Sequence, residues 1–237
     1  SLFGGSADLG PSNNTVIKGK PYYAPDCREG VNIHYGIREF AMAAIANGQA
    51  LHGGLIPYVA TFFVFSDYLK NAIRMSALMG LPVIYIMTHD SIGVGEDGPT
   101  HQAIEQLAAM RATPNTYMWR PADSKETAAA YISALRAKGP SVIALSRQTL
   151  PLFEETGPAA LKGAYVLKDF GGKPQVILIG TGSEVEICYQ AAKKLAEEGM
   201  AARVVSMPCV EVFEEQDEAY RQSVLPDTLD KRVVVEA

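Results

Sequence analysis

At 237 residues, 48% hydrophobic and 20% charged, with a mean hydropathy of +0.03, the chain has the composition of a folded protein with room for one large domain or two ordinary ones. Its net charge of −5 comes without a basic stripe interleaved with aromatic rings, which argues against a groove for nucleic acid. No apolar run is long enough to span a bilayer. The three cysteines, Cys27, Cys188 and Cys209, show neither CxxC nor zinc-ligand spacing, so ordinary thiols in a reducing, cytoplasmic compartment are expected.

Leu2 and Phe3 read as the tail of a strand, and GGSADLGPSNNT as the turn at its carboxyl end, where open α/β sheets place ligands. Ser6, Asp8 and Ser12 are candidates there, although Asp and Ser also populate turns by bonding their own backbone. A Pro-bearing loop, Lys18 to Gly30, precedes HYGIREF. Arg38 and Glu39 then open an Ala-rich helix that Asn47-Gly48 is expected to stop. The helix dipole favours an ionised Glu39, whose bland alternative is a solvated helix-start charge. Phe62, Phe65 and Tyr68 recur at a spacing of three and share a face if the segment is helical, forming either an aromatic slot or part of the core.

A helix is expected from Asp67 to Met79, stopped by Gly80, and PVIYIM follows as a strand buried on both faces. That strand empties into THDSIGVGEDGPTHQ, which holds His89, Asp90, Asp97 and His101 ahead of a helix placed at Gln102 to Arg111. The alternation repeats with a strand at Tyr117 to Arg120, a helix from Asp123 to Ala137 opened by a DxxE cap, and a strand at Val142 to Ser146. Arg147 follows that strand and so belongs to the same rim as His89 and Asp97. After a linker the rhythm restarts with strands at Val176 to Gly180, Arg203 to Ser206 and Arg232 to Val235, and helices at Val185 to Gly199 and around Phe213 to Val224. The pattern predicts an α/β fold with a doubly wound, mostly parallel sheet over 1–148, a linker over 149–162 and a second, truncated α/β domain over 163–237. The opening without Met and the stop at KRVVVEA suggest a piece of a longer polypeptide.

The loop that carries half of the four histidines supports two chemistries. In a sugar-phosphate site the imidazoles donate to hydroxyl and alkoxide oxygens, Asp97 accepts from a hydroxyl and Arg147 grips a phosphate. In a metal site His89, Asp97 and His101 would be ligands, without the HExxH pattern. Histidines and aspartates in a Gly-rich loop can also merely satisfy backbone groups. The turn GTGSEVE fits neither GxGxxG nor the P-loop and is expected to be structural.

The strings GGSADLGPSN, HYGIREF, THDSIGVGEDGPTHQ and SRQ, in this order, closely resemble transketolase from the first residue to the last. The resemblance implies the pyrimidine-binding domain of that family and the start of its carboxyl-terminal domain. Its activity is transfer of a two-carbon ketol unit from a ketose phosphate to an aldose phosphate in the pentose phosphate pathway. It assigns Glu39 to proton exchange with the aminopyrimidine of thiamine diphosphate, and Phe65 to stacking on that ring beside Phe62 and Tyr68. Ser12, His89, Asp97, His101 and Arg147 become substrate contacts, with His101 also catalytic. A divalent cation, Mg or Ca, would be held by residues outside this chain, and a homodimer would complete the site, so the chain alone is expected to be inactive. The alternatives are a non-catalytic pyrimidine-binding subunit of a split thiamine enzyme, and a metal-dependent hydrolase built on His89, Asp97 and His101.

Overall fold

The computed structural model describes residues 1–237, which pack as two compact units. The first comprises Ser1–Tyr117 and Ala134–Arg147, the second Met118–Ser133 and Gln148–Ala237. Strands β1 (Leu2–Ser6), β2 (Asn32–His34), β3 (Ile56–Phe62), β4 (Ile84–Thr88), β5 (Tyr117–Trp119) and β6 (Ser141–Leu145) form a sheet in the order β2-β1-β3-β4-β6-β5. The pairs β2–β1, β1–β3, β3–β4 and β4–β6 are all parallel, so the carboxyl ends of five strands share one rim. All five residues of β4 are buried, as a strand covered on both faces requires. At Gly4 and Gly5 an added Cβ would overlap the carbonyl oxygens of Tyr58 and Ile33, so β1 can lie between its neighbours only without side chains there.

Helices α1 (Gly10–Asn13), α2 (Glu39–His52), α3 (Ser66–Met79), α4 (Gln106–Arg111) and α5 (Ser124–Arg136) occupy the connections. Two of them depart from the expected pattern, and so does the segment from Phe62 to Tyr68. Helix α2 runs through Asn47-Gly48 and ends instead at Gly53, in a positive-φ conformation followed by Gly54. Asn47 does not cap because its side chain is used elsewhere. Its Nδ2 donates to the Ala72 carbonyl of α3 at 2.9 Å, and its Oδ1 accepts from Ser76 and from Tyr85, the latter at 3.2 Å. Helix α4 starts only at Gln106, because Gln106 is held by its own contacts: Oε1 accepts from Ile104 N and Nε2 donates to Asp67 Oδ2 at 3.1 Å. The segment bearing Phe62, Phe65 and Tyr68 is not one helix. Phe62 ends β3, Phe63–Phe65 form a 3₁₀ turn and Tyr68 lies in the first turn of α3.

The second unit carries β7 (Tyr165–Phe170), β8 (Val176–Gly180), β9 (Ala202–Ser206) and β10 (Arg232–Val235) in the order β10-β8-β9-β7, with only β7 antiparallel. Besides Ser124–Ser133 of α5, its helices are α6 (Glu184–Glu197), α7 (Val210–Glu214) and α8 (Glu218–Val224). Alternate strand residues face opposite layers. Leu178 and Val204 pack with Val185 and Ala192 of α6, while Ile177, Ile179 and Val205 pack with Phe213 and Val224. The single helical stretch expected near Phe213 to Val224 is broken at Asp217, whose Oδ1 accepts from Tyr220 N and caps α8. No helix in either unit is long and apolar enough to cross a membrane.

Candidate active site

The rim of the first unit gathers most of the chemistry-bearing residues anticipated from the sequence. The turn after β1 carries Asp8 and Ser12, α2 begins at Glu39 beyond β2, and Phe62 closes β3. His89 follows β4, and Arg147 follows β6. Asp8, Asn14 and His89 have φ of 59°, 51° and 59°, in the left-handed region that costs a non-glycine residue roughly 1–3 kcal/mol. Such strain persists only where the surroundings impose it, and three instances fall on this rim.

Ser12, His89 and Arg147 border one cavity of 470 Å³, together with Asn13, Thr88 and Ser146. His89 is buried, and its imidazole stacks on Phe62 with ring centroids 3.6 Å apart. Phe62 stacks in turn on Phe65 at 6.1 Å, and Phe65 on Tyr68 at 6.1 Å. The rings therefore form a ladder, although a turn rather than a helix face builds it. His101 presents its edge to Phe65 at 5.4 Å and to Phe62 at 6.0 Å, and its Nδ1 pairs with Thr100 Oγ1 at 2.9 Å. The ladder is graded in exposure: Phe62 is buried, Phe65 half-buried and Tyr68 exposed. It thus offers an apolar ring face at its open end.

Burial chiefly, and Arg147 next, hold the His89 pKa below the ordinary histidine value, while Asp97 and Asp90 oppose the shift and His101 adds to it. The four groups that the sequence placed in one loop and after β6 thus act on one imidazole. Asp97 itself is exposed, and Asp90 is buried and accepts from Ser146 Oγ at 3.1 Å, tying the ends of β4 and β6 together. Glu39 is half-buried in the first turn of α2, and its carboxylate makes no hydrogen bond or ion pair within the chain. A half-buried carboxylate without a partner is free to exchange a proton with a group bound beside it.

The metal alternative finds no such geometry. No three His, Cys, Asp or Glu side chains come together as a metal site, and His101 Nδ1 is engaged by Thr100. Two residues escaped sequence reasoning: Asn13 and Thr88, which link Ser6 to His89 by hydrogen bonds. Their roles arise from contacts between distant segments, and only the Ser-Asn-rich character of the first turn hinted at them.

A parallel α/β unit with a ligand rim followed by a second α/β unit is the class this architecture defines. Residues 1–152 match the family model for the transketolase pyrimidine-binding domain, and residues 163–237 match that for the transketolase-like C-terminal domain. The chain belongs to the transketolase family. It is 56% identical over 241 residues to transketolase 2 of Escherichia coli, covering all of this chain and 36% of that relative's length. A transketolase mutant of Pichia stipitis solved with fructose 6-phosphate superposes with a TM-score of 0.95 at 46% identity, covering all of this chain and 36% of that one. A protein described as a split gene transketolase, inactive β4 tetramer, superposes with a TM-score of 0.71 at 31% identity, covering 89% of this chain and 66% of that one. The family membership displaces the hydrolase reading.

Proposed function

We propose that this chain provides the pyrimidine-binding face of a transketolase, which moves a two-carbon ketol unit from a ketose phosphate to an aldose phosphate in the pentose phosphate pathway. The reading rests on one observation: a single cavity bordered by Ser12, His89 and Arg147, beside a ladder of aromatic rings. Arg147 and Ser12 form its phosphate end, since a guanidinium and a hydroxyl both donate to phosphate oxygens. His89, Asp97 and His101 line the sugar hydroxyls, with His101 moving protons at the reacting oxygen.

Phe65 would support the pyrimidine of thiamine diphosphate, with Phe62 and Tyr68 extending the apolar wall, and Glu39 would exchange a proton with its ring nitrogen. Bound there, the cofactor supplies an electron sink for the cleaved carbon–carbon bond. A divalent cation, Mg or Ca, and the diphosphate would be held by residues outside this chain, in a cytoplasmic homodimer.

The test is Arg147→Ala in the complete enzyme, assayed with phosphorylated and unphosphorylated ketose donors. Loss of a charge-assisted contact should lower kcat/KM about 10- to 100-fold for the phosphorylated donor and little for the other. Equal losses for both donors would contradict the assignment. The likeness to the split-gene protein favours a second reading, in which the chain is a pyrimidine-binding subunit that is inactive until a separate chain joins it. The mass of the native source protein separates the two.

A further inference from the structure

Behind His89 runs a line of polar side chains whose hydrogens can be assigned one after another. Ser6 Oγ lies 3.1 Å from the Ala60 carbonyl oxygen, and Asn13 Nδ2 lies 2.6 Å from Ser6 Oγ. Thr88 Oγ1 is 2.6 Å from Asn13 Oδ1, and His89 Nδ1 is 3.0 Å from Thr88 Oγ1. All four side chains are buried. A carbonyl only accepts, so Ser6 donates to Ala60 and its oxygen receives an amide hydrogen of Asn13. The amide oxygen then takes the Thr88 hydroxyl hydrogen. Thr88 Oγ1 is left with lone pairs alone to offer the imidazole, so Nδ1 must carry a hydrogen.

The opposite polarity is worse by one bond. With the amide of Asn13 turned round, Ser6 would donate to Asn13, and Ser6 Oγ would face the Ala60 oxygen as two acceptors 3.1 Å apart. That arrangement also fails for a protonated ring, whose Nδ1 hydrogen would meet the Thr88 hydrogen. The first polarity survives in both protonation states, because protonation adds a hydrogen at Nε2 only.

We propose that Ser6, Asn13 and Thr88 are positioning residues that lock His89 in its Nδ1–H tautomer, leaving Nε2 as its only free nitrogen beside the cavity of Ser12 and Arg147. Stacking on Phe62, with ring planes 23° apart, sets the tilt of the imidazole, and the left-handed backbone at His89 sets its direction of departure. The depressed pKa keeps the ring neutral near neutral pH. While the ring is neutral, Nε2 is a lone pair that accepts from a ligand hydroxyl. Once the ring is protonated, as a phosphate bound beside it would favour, Nε2 carries a hydrogen and donates, and the Nδ1 hydrogen is kept in both states. Naming the ligand as a sugar hydroxyl rests on the proposed function, whereas the tautomer does not.

The test is long-range proton–nitrogen correlation NMR on protein labelled with ¹⁵N-histidine, with the His89 signals identified by their loss in His89→Gln. A neutral ring protonated at Nδ1 is expected in the unsubstituted protein. Thr88→Val should abolish that preference and Thr88→Ser should restore it. A ring protonated at Nε2 in the unsubstituted protein would overturn the proposal, as would an unchanged tautomer in folded Thr88→Val. If Thr88→Val does not fold, the unsubstituted spectrum alone decides. An enzyme without ketol transfer but with the Nδ1–H ring would remove the sugar reading and leave the lock standing.

Discussion

Two strand-end rims in this chain are made of similar residues and behave in opposite ways. In the first unit, Glu39 has no partner within the chain, Ser12, Asp97 and Arg147 are exposed, and a cavity opens between the ends of the strands. In the second unit, the corner after β8 turns its polar groups on one another. Arg120, fully buried, pairs with Glu184 and donates to the Thr181 carbonyl at 3.0 Å, while Ser183 Oγ donates to Glu184 Oε1 at 2.6 Å. Nearby, the buried Glu126 accepts from Tyr165 at 2.7 Å, Ser206 at 2.5 Å and Ala122 N at 2.7 Å. A strand-to-helix corner becomes a binding site when its polar groups stay uncommitted, and becomes internal bracing when they satisfy each other.

The comparison is broken most forcefully at its two carboxylates. Glu39→Gln in the complete enzyme should reduce turnover roughly 10²- to 10⁴-fold, the usual worth of a positioned acid–base group, with the thermal midpoint unchanged. Steady-state kinetics beside a melting curve decide this, and near-normal turnover would place Glu39 with the braces. Glu126→Ala should do the reverse. It strands two hydroxyls and a backbone amide, at about 1 kcal/mol or more each, so urea unfolding should show a loss of about 3 kcal/mol. A variant of undiminished stability but impaired chemistry would show that the second rim is a site after all.

The smallest effect is a pH dependence that sharpens the contrast. Burial and Arg147 hold the His89 pKa down, against Asp97 and Asp90 and with His101. The unfolded chain therefore binds this proton more tightly than the folded one. Stability from His89 is complete above about pH 6.5 and is lost as pH falls through the depressed folded pKa. Urea titrations between about pH 5 and 8 should show this decline, and His89→Gln should flatten it.

What the sequence disclosed follows from how local each signal is. β8 and β10 fell where short apolar runs placed them, and the α3 stop fell at Gly80, whose left-handed conformation is local chemistry. β3 was not recognised, because Pro57 and its aromatic tail mask a strand whose burial comes from neighbours on both sides. β2, with three residues, is too short to leave a pattern. His89, Asp97, His101 and Arg147 were visible because strand ends in parallel sheets converge by topology. Asn13 and Thr88 were not, since a bond between residues 75 apart in sequence has no local signature. Asn47-Gly48 misled for the converse reason: a typical stop pair was recruited to hold two helices together.

That recruitment sets how faithfully the rim is aligned. Asn47 fastens the helix headed by Glu39 to the helix whose first turn bears Tyr68, and through Tyr85 to the strand that delivers His89. The bolt sits about 12 Å along the helix from the carboxylate, at 1.5 Å per residue. Acid, aromatic rungs and imidazole therefore share a mechanical reference remote from any ligand, and the spacing among them is inherited from a joint that never meets the chemistry.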